Sequence, residues 1–335
     1  MLKENAIFDV LIIGGGLAGL TSAIHLSKFK FNVLVIEKNN YPKHKVCGEY
    51  ISNEVLPYLK FLEFDPFVLG AKRIDKFELT TPKNRQVKAK LPLGGFGISR
   101  YTLDNALAEK AKEQGVVVIQ DTVVNVQFNN DLFSVVTKNE KVLISKIVIG
   151  AYGKRSNIDV NLKRRFIQKE SPYLAVKMHL KGDFPEDLVA LHNFKGGYCG
   201  LSKIENEAIN ACYIVEYSAF KKHKNIEIFQ EQVLYKNSAL KAVFENAIPL
   251  FDQPITISQI SFSSKNPVEN HIIMCGDTAG MIHPLCGNGM SMAMSGAQMA
   301  SQLIMSFMNG NIDRPALEKQ YSCLLYTSDA ADELS

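Results

Sequence analysis

The chain of 335 residues is long enough for about two domains of ordinary size, or for one large domain with insertions. Hydrophobic residues make up 46% of it and charged residues 21%, which excludes a disordered, collagen-like or coiled-coil protein. The net charge of +4 is too small to indicate nucleic acid or an anionic membrane surface as a partner.

The cysteines and the first residues of the chain indicate whether metal sites are expected and in which cellular compartment the protein lies. Six cysteines are scattered without a CxxC pair or a histidine cluster, so we expect neither a metal site nor a disulfide framework. An apolar strand begins almost at once after residues 1–5, which leaves no room for a signal peptide. Reduced thiols in a cytoplasmic protein fit these observations best.

The first motif in chain order is a strand, a glycine-rich turn and a helix. Residues 8–13 read FDVLII, and a helix-like run covers residues 20–29. Between them, Gly14 permits a tight turn, Gly16 lets the backbone approach a pyrophosphate, and Gly19 lets the helix pack closely on the strand. This order predicts a dinucleotide site, the alternative being a glycine-rich turn in an unrelated α/β protein.

The end of the next strand indicates which dinucleotide is expected. Leu17 and Ala18 lie at the predicted helix N-terminus, where free N–H groups face the phosphates. A strand at residues 32–36 ends on Glu37, about 20 residues beyond the glycines, where an acid accepts hydrogen bonds from an adenosine ribose. Because a carboxylate repels a ribose 2′-phosphate, the nucleotide is expected to be NAD or FAD rather than NADP.

Alternating polar and apolar residues follow in two regions. Period-2 runs between residues 74 and 91 and between 172 and 262 predict antiparallel strands that build a substrate domain. A helix-like stretch at 226–247, together with a methionine-rich helix, could wall an apolar cavity, although methionines at helical spacing are also typical of plain core. Residues 289–308 carry no charge, but their Ser, Gln and Gly content predicts a buried helix rather than a membrane span.

A second cofactor motif follows a short strand at residues 271–274. Residues 275–290 read CGDTAGMIHPLCGNGM, which resembles the flavin motif of the para-hydroxybenzoate hydroxylase class, including geranylgeranyl reductases and flavin-dependent halogenases. The resemblance implies FAD. It places Asp277 at the ribityl chain or pyrophosphate bridge, the alternative being a helix N-cap. It implies cofactor contacts at Gly276, Asp277, Pro284, Gly287, Asn288, Gly289 and Met290. Backbone N–H groups at Gly287 and Gly289 would stabilise negative charge on a reduced flavin.

Two further segments resemble the same class. Residues 98–107 resemble its Arg-x-x-x-Asp-x-x-Leu helix start, which implies that Arg100 touches the cofactor. Residues 147–156 resemble its Gly-Ala-Asp-Gly-x-x-Ser motif, but Tyr152 stands where the family usually has Asp. That departure puts in doubt the contacts of the motif, including any with NAD(P)H, while the strand and turn should survive.

The loop at residues 38–50 resembles the Lys-x-Cys-Gly segment of the geranylgeranyl reductase branch. The resemblance implies that Lys38 and Lys45 lie near the cofactor and that Cys47 lines the pocket as a tentative catalytic residue. The alternative for the loop lysines is a solvated surface. Residues 195–203 fall where these reductases carry a Tyr-x-Trp-x-Phe motif, of which only Tyr198 remains as a tentative substrate contact.

Two small residues and the lack of tryptophan modify this resemblance. Gly200 and Ser202 replace the large aromatics, so either the pocket is wider there or another element fills it. The chain contains no Trp, so the tryptophan-containing motif of the tryptophan halogenases is absent, which argues against halogenation.

The last residues stand apart. Residues 323–333 resemble the translation of a transposase adapter used in sequencing libraries. We therefore expect residues 323–335 to be a non-native tail and the natural chain to continue differently beyond Ser322.

Together these patterns predict an α/β protein, α+β overall. A Rossmann-like FAD-binding domain is expected from residues 1–70, 98–165 and 265–322, with an inserted antiparallel β-sheet substrate domain from 71–97 and 166–264. The expected activity is that of a FAD-dependent oxidoreductase on an apolar or aromatic small molecule, with NAD(P)H as transient reductant because no second GxGxxG reserves a nicotinamide site. Reduction of a C=C bond, hydroxylation, and FAD binding by a truncated chain without complete activity remain open, as do peripheral membrane contact and the oligomeric state.

Overall fold

Strands form two separate sheets in the computed structural model, which describes residues 6–325 in full except 84, 170, 224, 259, 284 and 286, and the backbone alone for 326–332. The strands are, in chain order, β1 (Ile7–Ile13), β2 (Val33–Glu37), β3 (Tyr50–Ser52), β4 (Lys72–Thr80), β5 (Gln86–Gly97), β6 (Val117–Gln120), β7 (Val123–Asn129), β8 (Leu132–Thr137), β9 (Val142–Gly150), β10 (Tyr173–Lys181), β11 (Leu188–Phe194), β12 (Gly197–Lys203), β13 (Ala208–Glu216), β14 (Ile248–Pro249), β15 (Ile255–Ile257), β16 (Val268–Glu269) and β17 (Ile272–Met274).

Helices cover the sheets and connect their strands. They are α1 (Leu17–Lys28), α2 (Leu56–Phe61), α3 (Arg100–Glu113), α4 (Asn157–Asn161), α5 (Tyr217–Phe220), α6 (Ile226–Gln232), α7 (Ser238–Asn246), α8 (Gly289–Met308) and α9 (Arg314–Asp332). Short 3₁₀ turns lie at Asn53–Val55, Pro66–Leu69, Arg165–Gln168, Glu205–Glu207, Leu234–Lys236 and Gly276–Thr278.

The first sheet, here called the cofactor sheet, has the order β16-β17-β9-β1-β2-β6, with β8 and β7 attached beside β9. β1 pairs in parallel with both β2 and β9, and β17 and β6 extend the parallel part on either side. Its central strands are mostly apolar because helices cover one face and further side chains the other. This arrangement confirms the predicted Rossmann-like fold.

The second sheet, here called the substrate sheet, has the order β14-β10-β13-β12-β11-β4-β5-β3, with β15 also paired to β10. Its pairs are antiparallel except for β4 and β11, which run in parallel. The predicted antiparallel sheet is therefore present with one parallel junction, where two separate chain segments meet. The strand β3 joins it by pairing with β5, and Ser52 at the end of β3 caps the 3₁₀ turn that leads into α2.

Each face of the substrate sheet has its own environment. One face packs against α6 and α7 through a buried cluster that includes Val176, Tyr213, Phe229 and Leu240. The other face turns toward the cofactor sheet. The expectation that residues 226–247 wall a cavity is therefore wrong, because the helices formed from that stretch cover the opposite face of the sheet.

The long uncharged helix α8 begins and ends at the predicted residues, Gly289 and Met308. It packs against α1 in the main apolar core, as its small residues allow. Within the part of the chain that the structure describes, no helix has the length and apolarity needed to cross a bilayer. The helix α9 continues into the segment that resembles an adapter translation, as far as Asp332.

Candidate functional site

A cavity of about 830 Å³ runs between the two sheets. One end is formed by the glycine turn after β1 and by Glu37 at the end of β2. The other end is formed by the apolar face of the substrate sheet, and the loop at residues 43–48 lies between the two ends. The cavity therefore joins the predicted nucleotide site to the predicted substrate domain.

The glycine turn has the geometry that a phosphate cradle needs. Gly14 has φ +106°, and a side chain there would meet the Ala151 carbonyl oxygen at 2.3 Å. At Gly19 a Cβ would lie 2.0 Å from the Gly14 carbonyl oxygen, so only glycine allows α1 this close to the turn. Neither residue lines the cavity, while Gly16, Leu17 and Ala18 do. Gly14 and Gly19 therefore serve the tight turn and the close packing of α1, and the role of Gly16 toward a pyrophosphate stays a prediction.

Two cations lie beside the glycine that faces the cavity. A Cβ on Gly16 would be 3.5 Å from Nη2 of Arg100 and 3.7 Å from Nζ of Lys45. Asp104, which is 1% exposed, accepts from Arg100 Nε at 2.6 Å and from Lys45 Nζ at 2.7 Å. One carboxylate therefore holds two cations, and the excess positive charge suits the pyrophosphate of a dinucleotide.

Arg100 and Asp104 keep each other in the charged form. Burial disfavours the charge on Arg100, but Asp104 outweighs it and raises the pKa of the guanidinium. Burial likewise opposes the charge of Asp104, while Arg100 and Lys45 outweigh burial and lower the pKa of the carboxyl. The ion pair of Arg100 with Asp104 is thus maintained across the physiological pH range.

Glu37 lies at the cavity end of β2 as predicted, and backbone groups fix its carboxylate. Gly15 N–H donates to Oε2 at 2.7 Å and Asn39 N–H donates to Oε1 at 2.9 Å. The Tyr41 hydroxyl donates to the Gly15 carbonyl oxygen at 2.6 Å. The acid is therefore rigidly positioned where a ribose could reach it, and Lys38 lines the cavity beside it.

The second motif lies beside the glycine turn, because a Cβ on Gly276 would be 3.3 Å from the Cβ of Ala18. Gly276 and Asp277 follow β17, and the Asp277 carbonyl oxygen accepts from Lys265 Nζ at 2.6 Å. Burial lowers the pKa of Lys265 to about 8. Because α8 begins only at Gly289, Asp277 is not the N-cap of that helix. Gly287, Gly289 and Met290 line the cavity, so the N-terminus of α8 faces it.

The loop at Cys47 closes the middle of the cavity. The Cys47 sulfur lies 3.4 Å from the Met290 sulfur and lines the cavity, as does Cys212 of β13. Burial, followed by the neighbouring Cys47, raises the pKa of Cys212 to about 12, so this second thiol stays protonated.

The substrate end is predominantly apolar. Tyr198 lines it and packs with Ala175, Ile214 and Ile260. A Cβ on Gly200 would meet only the Leu191 side chain at 3.6 Å and a backbone oxygen at 3.8 Å. Gly200 therefore leaves open space, which favours the wider-pocket alternative.

Most of the predicted site residues lie together. The cavity is lined by Gly16, Leu17, Ala18, Glu37, Lys38, Lys45, Cys47, Arg100, Tyr198, Gly276, Asp277, Gly287, Gly289 and Met290. Asn288 is adjacent at the start of α8 without lining the cavity, and Pro284 lies outside the described residues. The strand and turn of the Tyr152 motif are present, and the Tyr152 hydroxyl donates to Asp159 Oδ1 at 3.2 Å.

Sequence reasoning missed the side chains that hold the Cys47 loop from behind. Glu49, near the end of this loop, pairs with Lys177 and His179 of β10, and all three are buried. Asn210 Nδ2 donates to the Gly48 carbonyl oxygen at 2.7 Å. A usable signal existed, because Lys177 and His179 are ionisable residues two apart in the interior of a largely apolar strand.

Side chains of the kinds that ligate metals occur across the described part of the chain. No group of three or more His, Cys, Asp or Glu side chains comes together there in a way that could hold an ion.

Comparison with known proteins points to a flavin site. The model of a family described as FAD binding domain matches residues 8–323. Conditioned medium factor receptor 1 of Dictyostelium discoideum is 22% identical, over 94% of this chain and 67% of that protein. The digeranylgeranylglycerophospholipid reductase of Methanosarcina acetivorans is 25% identical, over 94% of this chain and 79% of the reductase.

Solved structures share the fold. A flavin-dependent brominase aligns with a TM-score of 0.80 at 20% identity, covering 96% of this chain and 84% of the brominase. A geranylgeranyl bacteriochlorophyll reductase-like protein from Thermoplasma acidophilum aligns with a TM-score of 0.77 at 19% identity, covering 96% of this chain and 84% of that protein.

Proposed function

Because the chain belongs to the FAD binding domain family and is a FAD-dependent oxidoreductase, we propose that it uses NAD(P)H-reduced FAD to saturate a C=C bond in an apolar substrate. The proposed domains are the predicted ones, with residues 1–70, 98–165 and 265–322 binding FAD and residues 71–97 and 166–264 binding substrate. The proposed location is the cytoplasm.

The cavity offers groups for each part of FAD. Glu37 would accept from the adenosine ribose, and the turn at Gly16 with Arg100 would hold the pyrophosphate. Asp277 would contact the ribityl chain, and the N-terminus of α8 at Gly289 would face the isoalloxazine. Bound FAD would supply the hydride, and the protein must supply binding, orientation, shielding and a proton.

The observation that carries the reductase proposal is the position of Cys47. It lines the cavity next to Met290 at the N-terminus of α8 and near Cys212 of the substrate sheet, so the thiol faces the space between the two. Reduction of a double bond adds a hydride to one carbon and a proton to the other. Cys47 is the proposed proton donor at this boundary, and Tyr198 a proposed substrate contact.

The substrate class follows from the walls and the relatives. Aliphatic side chains of β11, β13 and β15 form most of the far end, which suits a hydrocarbon chain. Relatives named digeranylgeranylglycerophospholipid reductases from several archaea match 88–94% of this chain at 22–26% identity. An isoprenoid or similarly apolar alkene is therefore the proposed substrate.

The test follows the flavin spectrum of FAD-loaded protein. NAD(P)H should reduce the flavin under anaerobic conditions, and a prenylated acceptor should reoxidise it faster than air does. The variant Cys47→Ala should keep FAD but lower acceptor-dependent reoxidation by about a hundredfold, the scale of a lost proton donor. The matched variant Cys212→Ala should stay near wild type.

Two results would decide against this reaction. Rapid reoxidation by air through a transient hydroperoxide absorbance, without response to the acceptor, would establish the hydroxylase alternative. A flavin that is bound and reduced but reacts with neither oxidant would point to an incomplete chain.

A further inference from the structure

A buried polar cluster joins the substrate sheet to the phosphate cradle, although it lies outside the cavity. It consists of Glu49, Lys177 and His179. Glu49 and Lys177 are fully buried, and His179 is 5% exposed. Isolated buried charges are costly, so an ion pair at this depth requires further partners.

Glu49 is the centre of the cluster. One carboxylate oxygen accepts from Lys177 Nζ and from the backbone N–H of Arg100, the latter at 2.7 Å. The other oxygen accepts from His179 Nε2 at 2.7 Å. Burial favours the neutral acid, but Lys177 and His179 outweigh burial and lower the pKa of Glu49. The carboxylate therefore stays ionised between the two sheets.

The backbone of Glu49 is itself strained. Its φ is +54°, a left-handed conformation that costs a residue with a side chain of this kind free energy. Such a conformation persists only where surrounding contacts hold it. The contacts of the Glu49 carboxylate with Lys177, His179 and Arg100 stabilise this conformation. They also fix the direction in which the chain leaves the loop at Cys47.

Strands β10 and β13 also bind backbone carbonyl groups of the loop at Cys47. Lys177 Nζ also donates to the Lys45 carbonyl oxygen at 3.1 Å, and Asn210 Nδ2 donates to that of Cys47 at 3.3 Å. Thus Lys177 holds the backbone of Lys45 directly and that of Arg100 through Glu49. These are the two residues whose side-chain cations lie beside Gly16.

We propose that Lys177 is a positioning residue for the cofactor, holding Lys45 and Arg100 at the phosphate cradle from the substrate sheet through its own contacts and Glu49. The proposal rests on the proposed FAD site. It makes cofactor affinity depend on a residue that does not line the cavity.

The test compares two variants on the same strand. Lys177→Met removes the donor to Lys45 and the partner of Glu49. It is expected to raise the FAD dissociation constant of the folded protein by about tenfold, the scale of one lost hydrogen bond. It should also weaken the salt dependence of FAD binding, because the cations no longer face the phosphates. Met178→Ala, on the opposite face, is expected to lower the melting temperature but keep wild-type affinity and salt dependence.

A double variant separates positioning from folding. Glu49→Gln with Lys177→Met removes both buried charges at nearly constant volume, so it should regain stability while keeping the defect in FAD affinity. Wild-type affinity in Lys177→Met, recovery of affinity in the double variant, or an equal defect in Met178→Ala would overturn the proposal. Failure of the wild-type chain to bind FAD would overturn the FAD site as well, which distinguishes the two failures.

Discussion

Replacing Gly16 with alanine should abolish tight FAD binding without disturbing the fold. Gly16 has φ −90° and ψ −169°, an extended conformation that alanine also adopts. The nearest atoms to the new methyl group are the ends of two flexible side chains, Arg100 at 3.5 Å and Lys45 at 3.7 Å. Stability should therefore change by less than about 1 kcal/mol.

The methyl group would occupy the space through which a phosphate approaches the backbone. Loss of about two charge-assisted hydrogen bonds, at roughly 1.5 kcal/mol each or more, amounts to about 3 kcal/mol. That free energy corresponds to a dissociation constant about a hundredfold higher.

Flavin fluorescence quenching and thermal unfolding of the apoprotein would measure the two effects separately. Gly296→Ala in α8 is the matched control, because its new methyl group would make only ordinary van der Waals contact, 3.5 Å from the Leu325 side chain, and Gly296 does not line the cavity. Gly19→Ala should instead destabilise the fold, since its Cβ would lie 2.0 Å from the Gly14 carbonyl oxygen. A folded Gly16→Ala protein with wild-type FAD affinity would refute the assignment of the cradle.

Three further predictions concern pH, the ion pairs and the substrate end. Burial lowers the pKa of His25 to about 4, so the folded protein keeps it neutral while the unfolded chain protonates it below pH 6.5. The free energy of unfolding should fall by about 2 kcal/mol more in wild type than in His25→Gln between pH 7.5 and 5, as urea titrations would show. Asp104→Asn should lower that free energy by about 3 kcal/mol, because it leaves Arg100 and Lys45 without their carboxylate; a loss below 1 kcal/mol would mean that solvent already screens the pair. Gly200→Phe should fill the open space beside Leu191 and raise the substrate KM by about tenfold with FAD affinity unchanged, and an unaltered KM would place the substrate elsewhere.

The elements next to glycine motifs could be predicted closely from the sequence. β1, α1 and β2 follow one another within 31 residues, and their apolar runs and glycines are local signals. The bounds of α8 were equally visible, because an uncharged stretch begins at Gly289 after a turn and ends before polar residues. Local chemistry was sufficient in both cases.

Other features depended on partners far along the chain. The stretch at 226–247 shows an apolar face, but nothing local indicates which side of the substrate sheet that face covers. The pairing of Glu49 with Lys177 joins residues separated by 128 positions. The strand β3 exists because β5, which lies beyond the next sheet strand, pairs with it. Sequence periodicity indicates which side of one segment is exposed, but it does not show which distant segments that segment contacts.

The order of segments in the cofactor sheet has a consequence for synthesis on the ribosome. β1 is made first, but its parallel partner β9 follows more than 120 residues later, and α1 finds its packing partner α8 only after residue 289. The part of α1 that packs against α8 is therefore exposed in the nascent chain until nearly all of the described residues have been made. Such long-range pairing slows folding and extends the period in which chaperones are needed. Cofactor loading should accordingly be a late event that follows the synthesis of α8.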